Sequence, residues 1–523
     1  MEFRNISEFE KAFDRNRSEL LHLGLSLFFL FGVWIYVSLT HRNLEDAYLL
    51  IVAAVIGGYM AMNIGANDVA NNVGPAVGSQ ALTMAGAIMI AGFFEAAGAL
   101  IAGGEVVSTI KGGIIDPSVL PDAQTFIWLM MAALLAGALW LNLATWLGAP
   151  VSTTHSIVGG VLGAGVAAGG WAIADWGVMA KIAASWVVSP VMGGVVAALI
   201  LFAIKKLILY RRDVVRAAQR VVPWILALMA WAFITYIMLK GVTQIWKVGF
   251  ITAALTGLVA AVLVLLWTGA SLRRKAATMV NSRDGVNNLF TVPLIFAAAL
   301  LSFAHGANDV ANAVGPLAAI NDALNSGGVH GKASIPLWIM MVGALGIVIG
   351  LALFGPRLIR TVGSEITELD KTRAFCIALS AAITVILASQ LGLPISSTHT
   401  ALGAVFGVGF LREYLKVSYA SQLHGILDSH EGAERERLQR FLDNFRKASV
   451  EDMGRMIKMV KKQQEEVVLT KAERKRLKEV YREELVKRHQ LFKIAAAWIV
   501  TVPASALMGA LLFYTLRGML LQG

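Results

Sequence analysis

Two aspartates stand within strongly apolar stretches of the sequence, each inside the same short motif. Residues Gly65–Pro75 read GANDVANNVGP and residues Gly306–Pro316 read GANDVANAVGP, so ten of eleven positions are identical. An aspartate at membrane depth costs about 2.5–3.5 kcal/mol on insertion scales, so such a residue is expected to serve a function. Because Asn and Asp oxygens suit Na⁺ or another hard cation, Asp68 and Asp309 predict a cation site.

A second duplicated motif supplies hydroxyl groups. Residues Pro150–His155 read PVSTTH and residues Pro394–His399 read PISSTH. Proline followed by serine and threonine favours the start of a helix, and hydroxyls beside free N–H groups at a helix N-terminus suit an oxyanion. The alternative is a capped helix without a ligand. His155 and His399, which end the motifs, are either proton carriers or structural residues with satisfied hydrogen bonds.

A third carboxylate, Glu95, stands in another apolar segment, and the second half of the chain has no obvious counterpart. It is either a cation ligand or the partner in a packing hydrogen bond. The residues that flank the first motif, Gly65, Gly74 and Pro75, predict a broken helix whose freed backbone groups line a protein-enclosed cavity. The alternative is that the small residues only allow close helix packing.

The composition is that of a membrane protein. The chain has 523 residues, of which 57% are hydrophobic and 15% are charged, and its mean hydropathy is +0.66. Apolar stretches close to the roughly 20 residues that cross a bilayer recur along the chain, which predicts about a dozen crossings, some of them broken. The single cysteine, Cys376, excludes an internal disulfide, and the lack of a Walker A loop argues against ATP-driven pumping.

The motif spacings divide the chain into two repeats. The aspartate motifs are 241 residues apart and the hydroxyl motifs 244, whereas Trp186 and Trp498, in a weaker third pair, are 312 apart. The second repeat has therefore gained a segment, which coincides with the charged residues 412–490. The predicted organisation is an N-terminal segment with an extra helix (1–46), repeat 1 (47–204), a connector with two transmembrane helices (205–288), the first part of repeat 2 (289–411), a charged insertion (412–490) and the last helix of repeat 2 (491–523).

Charge predicts how the repeats face the membrane. The chain carries 45 Lys+Arg against 34 Asp+Glu, a net charge of +11. Cytoplasmic loops are enriched in Lys and Arg, and such residues cluster at both ends of the connector. The insertion, with 19 basic and 14 acidic residues, is expected to be cytoplasmic, whereas the matching loop of repeat 1, near 173–183, then lies outside. The excess charge is thus a positive-inside signal, and no nucleic-acid partner is expected.

Equivalent loops on opposite sides of the membrane predict inverted repeats, a plan that recurs in secondary transporters with a substrate site at the midplane. The predicted fold is therefore an all-α polytopic membrane protein. It has about 12 transmembrane helices in two inverted-topology repeats, with broken helices at the midplane and a soluble helical insertion.

The paired motifs resemble those of the inorganic phosphate transporter family. The resemblance covers roughly 47–411 and 491–515, and the stretch from Phe94 to Asp116 looks closer to the sodium-dependent branch. Animal members of that branch carry Glu where Ala378 stands here. By resemblance, the substrate-binding residues are Asn67, Asp68, Asn71, Ser152, Thr153, Thr154, Asn308, Asp309, Asn312, Ser396, Ser397 and Thr398. The implied sodium ligands are Asp68, Asp309, Asn67, Asn308 and Glu95.

The resemblance implies a secondary active transporter, not an enzyme, that imports inorganic phosphate by symport with a cation, sodium in the first instance, through alternating access. The implied partners are phosphate, sodium or a proton, the lipid bilayer and, as an open question, a second copy of the chain; no cofactor is expected beyond the coupling cation. The expected location is the plasma membrane, here the inner membrane of a bacterium. The alternatives are a proton- or metal-coupled phosphate carrier, a sulfate carrier, and a non-transporting sensor or scaffold whose insertion binds a partner.

Overall fold

A computed structural model describes most of the chain. The described residues are 2–42, 44, 46–149, 151–241, 246–276, 279–326, 335–365, 370–415, 432–447, 456 and 488–520. Across these ranges the chain is helical, and the β-structure within them is one isolated bridge between Ile115 and Ala174. The prediction of an all-α protein is confirmed.

The helices are numbered here in chain order. They are α1 (Glu2–Thr40), α2 (Ala47–Asn67), α3 (Val69–Gly78), α4 (Met84–Ala102), α5 (Gly104–Gly112), α6 (Ala123–Trp146), α7 (Thr153–Gly169), α8 (Trp176–Ile204), α9 (Val214–Lys240), α10 (Phe250–Ala276), α11 (Arg283–Leu289), α12 (Thr291–Asp309), α13 (Ala311–Ser326), α14 (Leu337–Glu365), α15 (Lys371–Gln390), α16 (Ser397–Leu415), α17 (Gly432–Lys447) and α18 (Arg488–Leu520).

Eleven helices of the described ranges are long and apolar enough to cross a membrane, close to the dozen expected. Their burial differs sharply. The span Thr291–Asn325, which contains the second aspartate motif, is 89% buried in its apolar window, whereas Phe250–Ala276 in the connector is 17% buried. An apolar helix that is exposed in the fold must face lipid, so the motif helices lie at the centre of the bundle and the connector helices at its rim.

The two repeats interlock through close helix crossings. Helix α12 packs along α4, and α2 packs along α14. A β-carbon at Gly306 of α12 would overlap the carbonyl oxygen of Glu95 on α4, and a β-carbon at Gly65 of α2 would overlap that of Ile347 on α14. Small residues allow this backbone approach in membrane proteins. The first helix of each repeat therefore packs against the second long helix of the other.

The widest breaks lie in the hydroxyl motifs. Helix α6 ends at Trp146 and α7 begins at Thr153, while α15 ends at Gln390 and α16 begins at Ser397. Each hairpin turns through a glycine with positive φ, Gly148 at +71° and Gly392 at +64°.

The break in the first aspartate motif is much narrower than the glycines and proline suggested. It consists of Asp68 alone, whose backbone keeps right-handed helical angles (φ −84°, ψ −35°), and its N–H still donates to the carbonyl of Ile64 at 2.9 Å. The freed backbone groups that suit an anion are therefore those at the start of α7 and α16.

Loop contacts define two ends of the helical bundle. At one end, the N–H of Asp116 donates to Ile173 O at 2.7 Å and that of Asp175 donates to Ile114 O at 3.0 Å. The loop before α6 therefore contacts the loop after α7, so the α6–α7 hairpin begins and ends on the same side of the bundle. Lys240, at the end of α9, pairs with Glu105 at 2.8 Å.

At the other end, Asn281 bridges the two basic clusters of the connector. Its side chain donates to the carbonyl of Arg212 at 3.1 Å and accepts from the N–H of Val214 at 3.0 Å. The start of α15 lies at this end too, because the N–H of Thr372 donates to Asn287 at 3.2 Å. Helices α8 and α9 span the distance between the two ends.

A second compact unit comprises residues 406–488. Within it, α17 is amphipathic in pattern and buries Leu438, Phe441 and Leu442. The remainder of the insertion between 416 and 487, apart from residue 456, lies outside the described residues.

Candidate functional site

Asp68 lies at the centre of the bundle and is 2% exposed. The hydroxyl of Thr153 donates to its Oδ2 at 2.7 Å, and the hydroxyl of Thr398 donates to its Oδ1 at 2.9 Å. One donor comes from the first turn of α7 and the other from the first turn of α16. The two duplicated motifs, which are far apart in sequence, thus meet at this carboxylate.

Asp309 repeats the arrangement with the repeats exchanged. The hydroxyl of Ser397 donates to its Oδ2 at 2.8 Å, and the Thr154 hydroxyl lies 3.5 Å from its Oδ1. Thr154 also donates to the carbonyl of Ile395 at the shorter distance of 3.0 Å. Each aspartate therefore takes one hydroxyl from each repeat, which gives the site an approximate two-fold symmetry.

The second asparagine of each motif completes this network. Asn71 donates to the Thr398 hydroxyl at 2.9 Å, and Asn312 donates to those of Thr153 at 3.0 Å and Thr154 at 3.3 Å. The Oδ1 of Asn312 is buried and has no hydrogen-bond partner among the described residues. A buried acceptor of this kind is available to a cation.

The first asparagines, Asn67 and Asn308, hold the hairpin breaks. Asn67 donates to Thr145 Oγ1 at 2.9 Å and to the carbonyl of Ala149 at 3.2 Å, and it accepts from the N–H of Val151 at 3.1 Å. Asn67 therefore bonds to the backbone and to a hydroxyl at the break of its own repeat.

Asn308 repeats this pattern, because it donates to Ser389 Oγ at 3.0 Å and to the carbonyl of Leu393 at 3.4 Å. Ser389 is its partner in either orientation of the amide. With the amide turned over, both of its ends are satisfied, because the nitrogen donates to the carbonyl of Ile395 at 3.1 Å and to Asp309 Oδ1 at 3.0 Å, and the oxygen accepts from Ser389 at 3.0 Å.

Ser152 and Ser396 cap the helices that follow them. The Ser152 hydroxyl accepts from the N–H of His155 at 3.2 Å, and the Ser396 hydroxyl accepts from that of His399 at 3.1 Å. These two hydroxyls therefore cap helices, which is the alternative to binding a ligand. The hydroxyls that face the aspartates are those of Thr153, Thr154, Ser397 and Thr398. The caps aim the N-termini of α7 and α16 at the centre.

His155 and His399 contact each other. Their ring centroids are 4.4 Å apart at nearly right angles, and the ring of His155 lies 3.9 Å from that of Trp186. Because the two histidines are equivalent positions of the two repeats, their contact lies on the approximate two-fold axis. Neither ring nitrogen of His155 has a hydrogen-bond partner among the described residues.

His305 is a site residue that sequence reasoning missed. Its Nε2 lies 2.7 Å from Asp309 Oδ2, and its Nδ1 lies 2.7 Å from Glu95 Oε2. Asn72 donates to the other oxygen of Glu95 at 2.8 Å. Glu95 therefore reaches the aspartates through His305. The available signal was spacing, because residues four apart share a helix face and His305 precedes Asp309 by four.

The arrangement can hold a cation. Ligand atoms of Asp68, His305 and Asp309 lie within 4.8 Å of one another, and all three residues are buried. At that separation two carboxylate charges repel by on the order of 3 kcal/mol at an effective dielectric constant of 20. The N-termini of α7 and α16 meanwhile supply hydroxyl and N–H donors. Cation ligands and anion donors thus meet in one buried cluster.

Comparisons with known proteins agree with this chemistry. Residues 64–509 match the model of the phosphate transporter family. A protein of Helicobacter pylori (strain J99), which its name classes with the phosphate permeases, is 54% identical over 526 residues and 99% of each chain. One from Pyrococcus abyssi, with the same class name, is 43% identical over 366 residues, which are 69% of this chain and 89% of the relative.

A solved structure, that of a sodium-dependent phosphate transporter, is similar with a TM-score of 0.74 and 30% sequence identity. The match covers 90% of this chain and all of that chain. The expected resemblance to this family is confirmed. The expectations of a multi-pass membrane protein, and of a transporter instead of an enzyme, are confirmed as well. The matched range includes both aspartate motifs and both hydroxyl motifs, and this chain belongs to the phosphate transporter family.

Proposed function

We propose that this phosphate transporter imports inorganic phosphate by symport with sodium, through alternating access. One observation carries the proposal. Two buried carboxylates, Asp68 and Asp309, each accept hydrogen bonds from hydroxyls at the N-termini of α7 and α16. A carboxylate pair attracts cations, helix N-termini attract anions, and here the two features adjoin.

The phosphate is placed at the N-termini of α7 and α16. The first N–H groups of a helix have no partner within the helix, and the macrodipole favours negative charge there. Thr153, Thr154, Ser397 and Thr398 add hydroxyls that can turn from the aspartates to phosphate oxygens. Ser152 and Ser396 hold the turns in place, and Asn71 and Asn312 orient the hydroxyls.

The cation is required by charge. A phosphate dianion at these N-termini would adjoin the two carboxylates, which already repel each other. A sodium ion bound to oxygens of Asp68 or Asp309 offsets that repulsion, so phosphate and sodium bind well only together. Asn67 and Asn308 support this site by fixing the breaks that carry the hydroxyls.

Alternating access follows from inverted repeats, which the loop contacts support. The mouth of the α6–α7 hairpin lies at the end with Asp116 and Glu105, whereas the start of α15, its equivalent in repeat 2, lies at the end with the basic connector clusters. Basic loops face the cytoplasm. The two hairpins therefore open toward opposite sides, and rocking of one repeat against the other would expose the central site to each side in turn. The bacterial inner membrane is the proposed location.

The test is uptake of labelled phosphate into proteoliposomes that contain the full chain. An inward sodium gradient should drive uptake above the equilibrium level, and a sodium ionophore should abolish it. A potassium gradient of the same size is the control. Uptake driven by a pH gradient without sodium would instead establish a proton-coupled carrier, and no uptake under either gradient would refute transport by the chain alone.

Competition decides the substrate class. Unlabelled phosphate should suppress labelled uptake at concentrations at which sulfate has no effect. The two anions differ in charge and in protonation at neutral pH, whereas the donors of α7 and α16 can bond either. Equal suppression by sulfate would therefore mean that the substrates are tetrahedral oxyanions in general and not phosphate alone.

A further inference from the structure

Helix α5 has a buried lysine at the end of the bundle that includes Glu105, which is the external end in the proposed orientation. Lys111 is 2% exposed, and it is the one buried lysine or arginine among the described residues. Its Nζ lies 2.9 Å from Asp322 Oδ2 on α13. A lysine near the end of a membrane helix normally extends its ammonium group into water. This one is instead held inside the protein by a carboxylate.

Helix α5 belongs to repeat 1 but contacts two site-forming elements of repeat 2. The hydroxyl of Thr109 donates at 2.7 Å to the carbonyl of Gly392, at the tip of the α15–α16 hairpin. A β-carbon at Gly315 of α13 would lie 3.6 Å from the backbone nitrogen of Lys111. Gly315 follows Asn312 of the central site by less than one helical turn. Helix α5 therefore lies over the external side of the central site.

The contact between α5 and α13 must open for phosphate to enter from outside. Under alternating access, the central site becomes accessible on one side when elements of repeat 1 separate from those of repeat 2 on that side. Lys111 and Asp322 then move apart. A buried charge that loses its partner is strongly unfavourable until water or another ion replaces that partner. The ammonium group of Lys111 is thus left without its carboxylate on the path by which phosphate arrives.

An arriving phosphate is a suitable replacement for the carboxylate. Lysine binds phosphate as a point charge, and phosphate offers more charge and more acceptor oxygens than the side chain of Asp322. The donors assigned to phosphate at the central site are hydroxyl and N–H groups. Lys111 therefore supplies a fixed positive charge that those donors lack.

Repeat 2 has no lysine at the position equivalent to Lys111. Glu95 and Ile347 occupy equivalent positions at the two helix crossings and are 252 residues apart. The same interval pairs Lys111 with Gly363, which has no side chain to bind an anion. A cationic residue therefore lies on one side of an otherwise two-fold arrangement. This asymmetry suits a carrier that collects phosphate from outside.

We propose that Lys111 is an external docking residue for phosphate, and that Asp322 occupies its ammonium group while the external side is closed. This inference rests on the proposed import by alternating access and adds a binding position outside the central site. Phosphate exchanges with Asp322 at Lys111 and then passes to the donors of α7 and α16. When the external side closes, the carboxylate of Asp322 returns to the ammonium group.

The test compares phosphate affinity at the two faces of the membrane. Right-side-out and inside-out vesicles from cells without other phosphate carriers are loaded with unlabelled phosphate and sodium, and the half-saturating concentration for exchange with labelled phosphate is measured. For Lys111→Gln in right-side-out vesicles we expect a rise of about tenfold, because a hydrogen bond to a charged group is lost. In inside-out vesicles the value should equal that of the wild type. Lys111→Arg keeps the charge and should retain most of the external affinity.

The double variant Lys111→Met with Asp322→Leu protects the test against misfolding, because it leaves no buried charge unpaired. It should show the same one-sided loss of affinity. Lys240→Gln is the matched control. Lys240 pairs with Glu105 at 2.8 Å at the same end of the bundle, but it lies on the connector helix α9. This variant changes the external charge by the same amount and should leave both affinities unchanged.

Two results would overturn the inference. An equal loss of affinity at both faces would mean that Lys111 acts on the central site. An unchanged external affinity, in whichever of Lys111→Gln and the double variant is obtained folded, would mean that the ion pair is purely structural and lowers only the amount of folded protein when it is removed. If the wild type itself exchanges no phosphate, the proposed function fails instead.

Discussion

Under the proposed symport, Asp68 is the residue on which coupling to sodium most directly depends. Asp68→Asn keeps the size of the side chain. Its carbonyl oxygen can accept one of the two hydroxyl bonds from Thr153 and Thr398, and its amide nitrogen can donate to the other hydroxyl once that hydroxyl rotates, so folding should be preserved. It removes the charge that attracts sodium. If the free energy of sodium binding becomes less favourable by about 1.4 kcal/mol or more, the rate of coupled uptake falls about tenfold or more. Initial rates of sodium-driven phosphate uptake in proteoliposomes measure the effect.

Thermal unfolding of the same variant in detergent is the control, and its midpoint should stay close to that of the wild type. A variant that folds normally and takes up phosphate at the wild-type rate would show that this carboxylate does not bind the coupling ion. Asp68→Glu, which retains the charge on a longer side chain, should recover more uptake than Asp68→Asn if charge is the deciding property.

At the residue scale the sequence identified the polar core but not its partners. Motif duplication identified the aspartates, the asparagines and the hydroxyls, because a polar residue in an apolar span is visible without a structure. It did not separate Ser152, which caps α7, from Thr153, which bonds Asp68. That difference depends on the residue at which the helix begins. The link from Glu95 to His305 also required the structure, since it forms only where α4 crosses α12.

Asn67 illustrates how one side chain supports an element. Its amide bonds to the hydroxyl of Thr145 and to the backbone of Ala149 and Val151 on both sides of the α6–α7 break. Asn67→Ala removes the partner of the buried N–H of Val151, at a cost of about 1–3 kcal/mol, and that of the half-buried carbonyl of Ala149. We expect a lower unfolding temperature in detergent. Asn142→Ala is the control, because Asn142 is exposed on α6 and hydrogen-bonds to the side chains of Asn63, at 3.3 Å, and Tyr59.

An unchanged unfolding temperature for Asn67→Ala would mean that water or lipid headgroups satisfy the break as well as the amide does.

The crossing of α4 with α12 gives a second test at the scale of elements. A methyl group at Gly306 would overlap the carbonyl of Glu95, so Gly306→Ala forces the two helices apart and separates His305 from Glu95. We expect a clear loss of folded protein and of uptake, measured by size-exclusion profile and by phosphate flux. Gly32→Ala on α1 is the matched control, since nothing lies within 4 Å of its added methyl group.

Normal assembly and uptake in Gly306→Ala would show that the two helices can separate far enough to clear the carbonyl of Glu95 at no cost. For Gly32→Ala, the free energy of unfolding should be unchanged or higher by roughly 0.5–1 kcal/mol, because alanine is favoured over glycine inside a helix.

The helices themselves were largely predictable from hydropathy, and their interruptions less so. Apolar stretches of membrane length identify the spans, because the bilayer imposes both length and composition. Gly65 and Pro75 suggested a wide break in the aspartate motif, but the helix continues through this region with one irregular residue, and Pro75 lies inside α3. Here glycine serves close packing, since Gly65 approaches the backbone of Ile347. Sequence alone does not distinguish packing from unwinding.

For the whole molecule, the proposed alternating access needs two repeats of opposite orientation, and this orientation can be tested by chemical labelling. Cys376 is the single cysteine and is buried, so an added cysteine is the only one readily labelled. Ser118→Cys places a thiol in the exposed loop before α6, and Lys371→Cys places one at the start of α15. These positions lie at the mouths of the two equivalent hairpins.

A membrane-impermeant maleimide should label Ser118→Cys in intact cells and label Lys371→Cys only after the membrane is opened. The reason is that Lys371 bonds to Asn288 at 3.2 Å, at the end that carries the basic clusters of the connector, whereas the loop of Ser118 adjoins Ile173 at the opposite end. Arg211→Cys, in one of those basic clusters, is the internal reference and should behave like Lys371→Cys. Labelling of Ser118→Cys and Lys371→Cys from the same side would mean that the repeats are parallel. The central site would then need a different movement to reach both sides of the membrane, because rocking of inverted halves would no longer exchange its two openings.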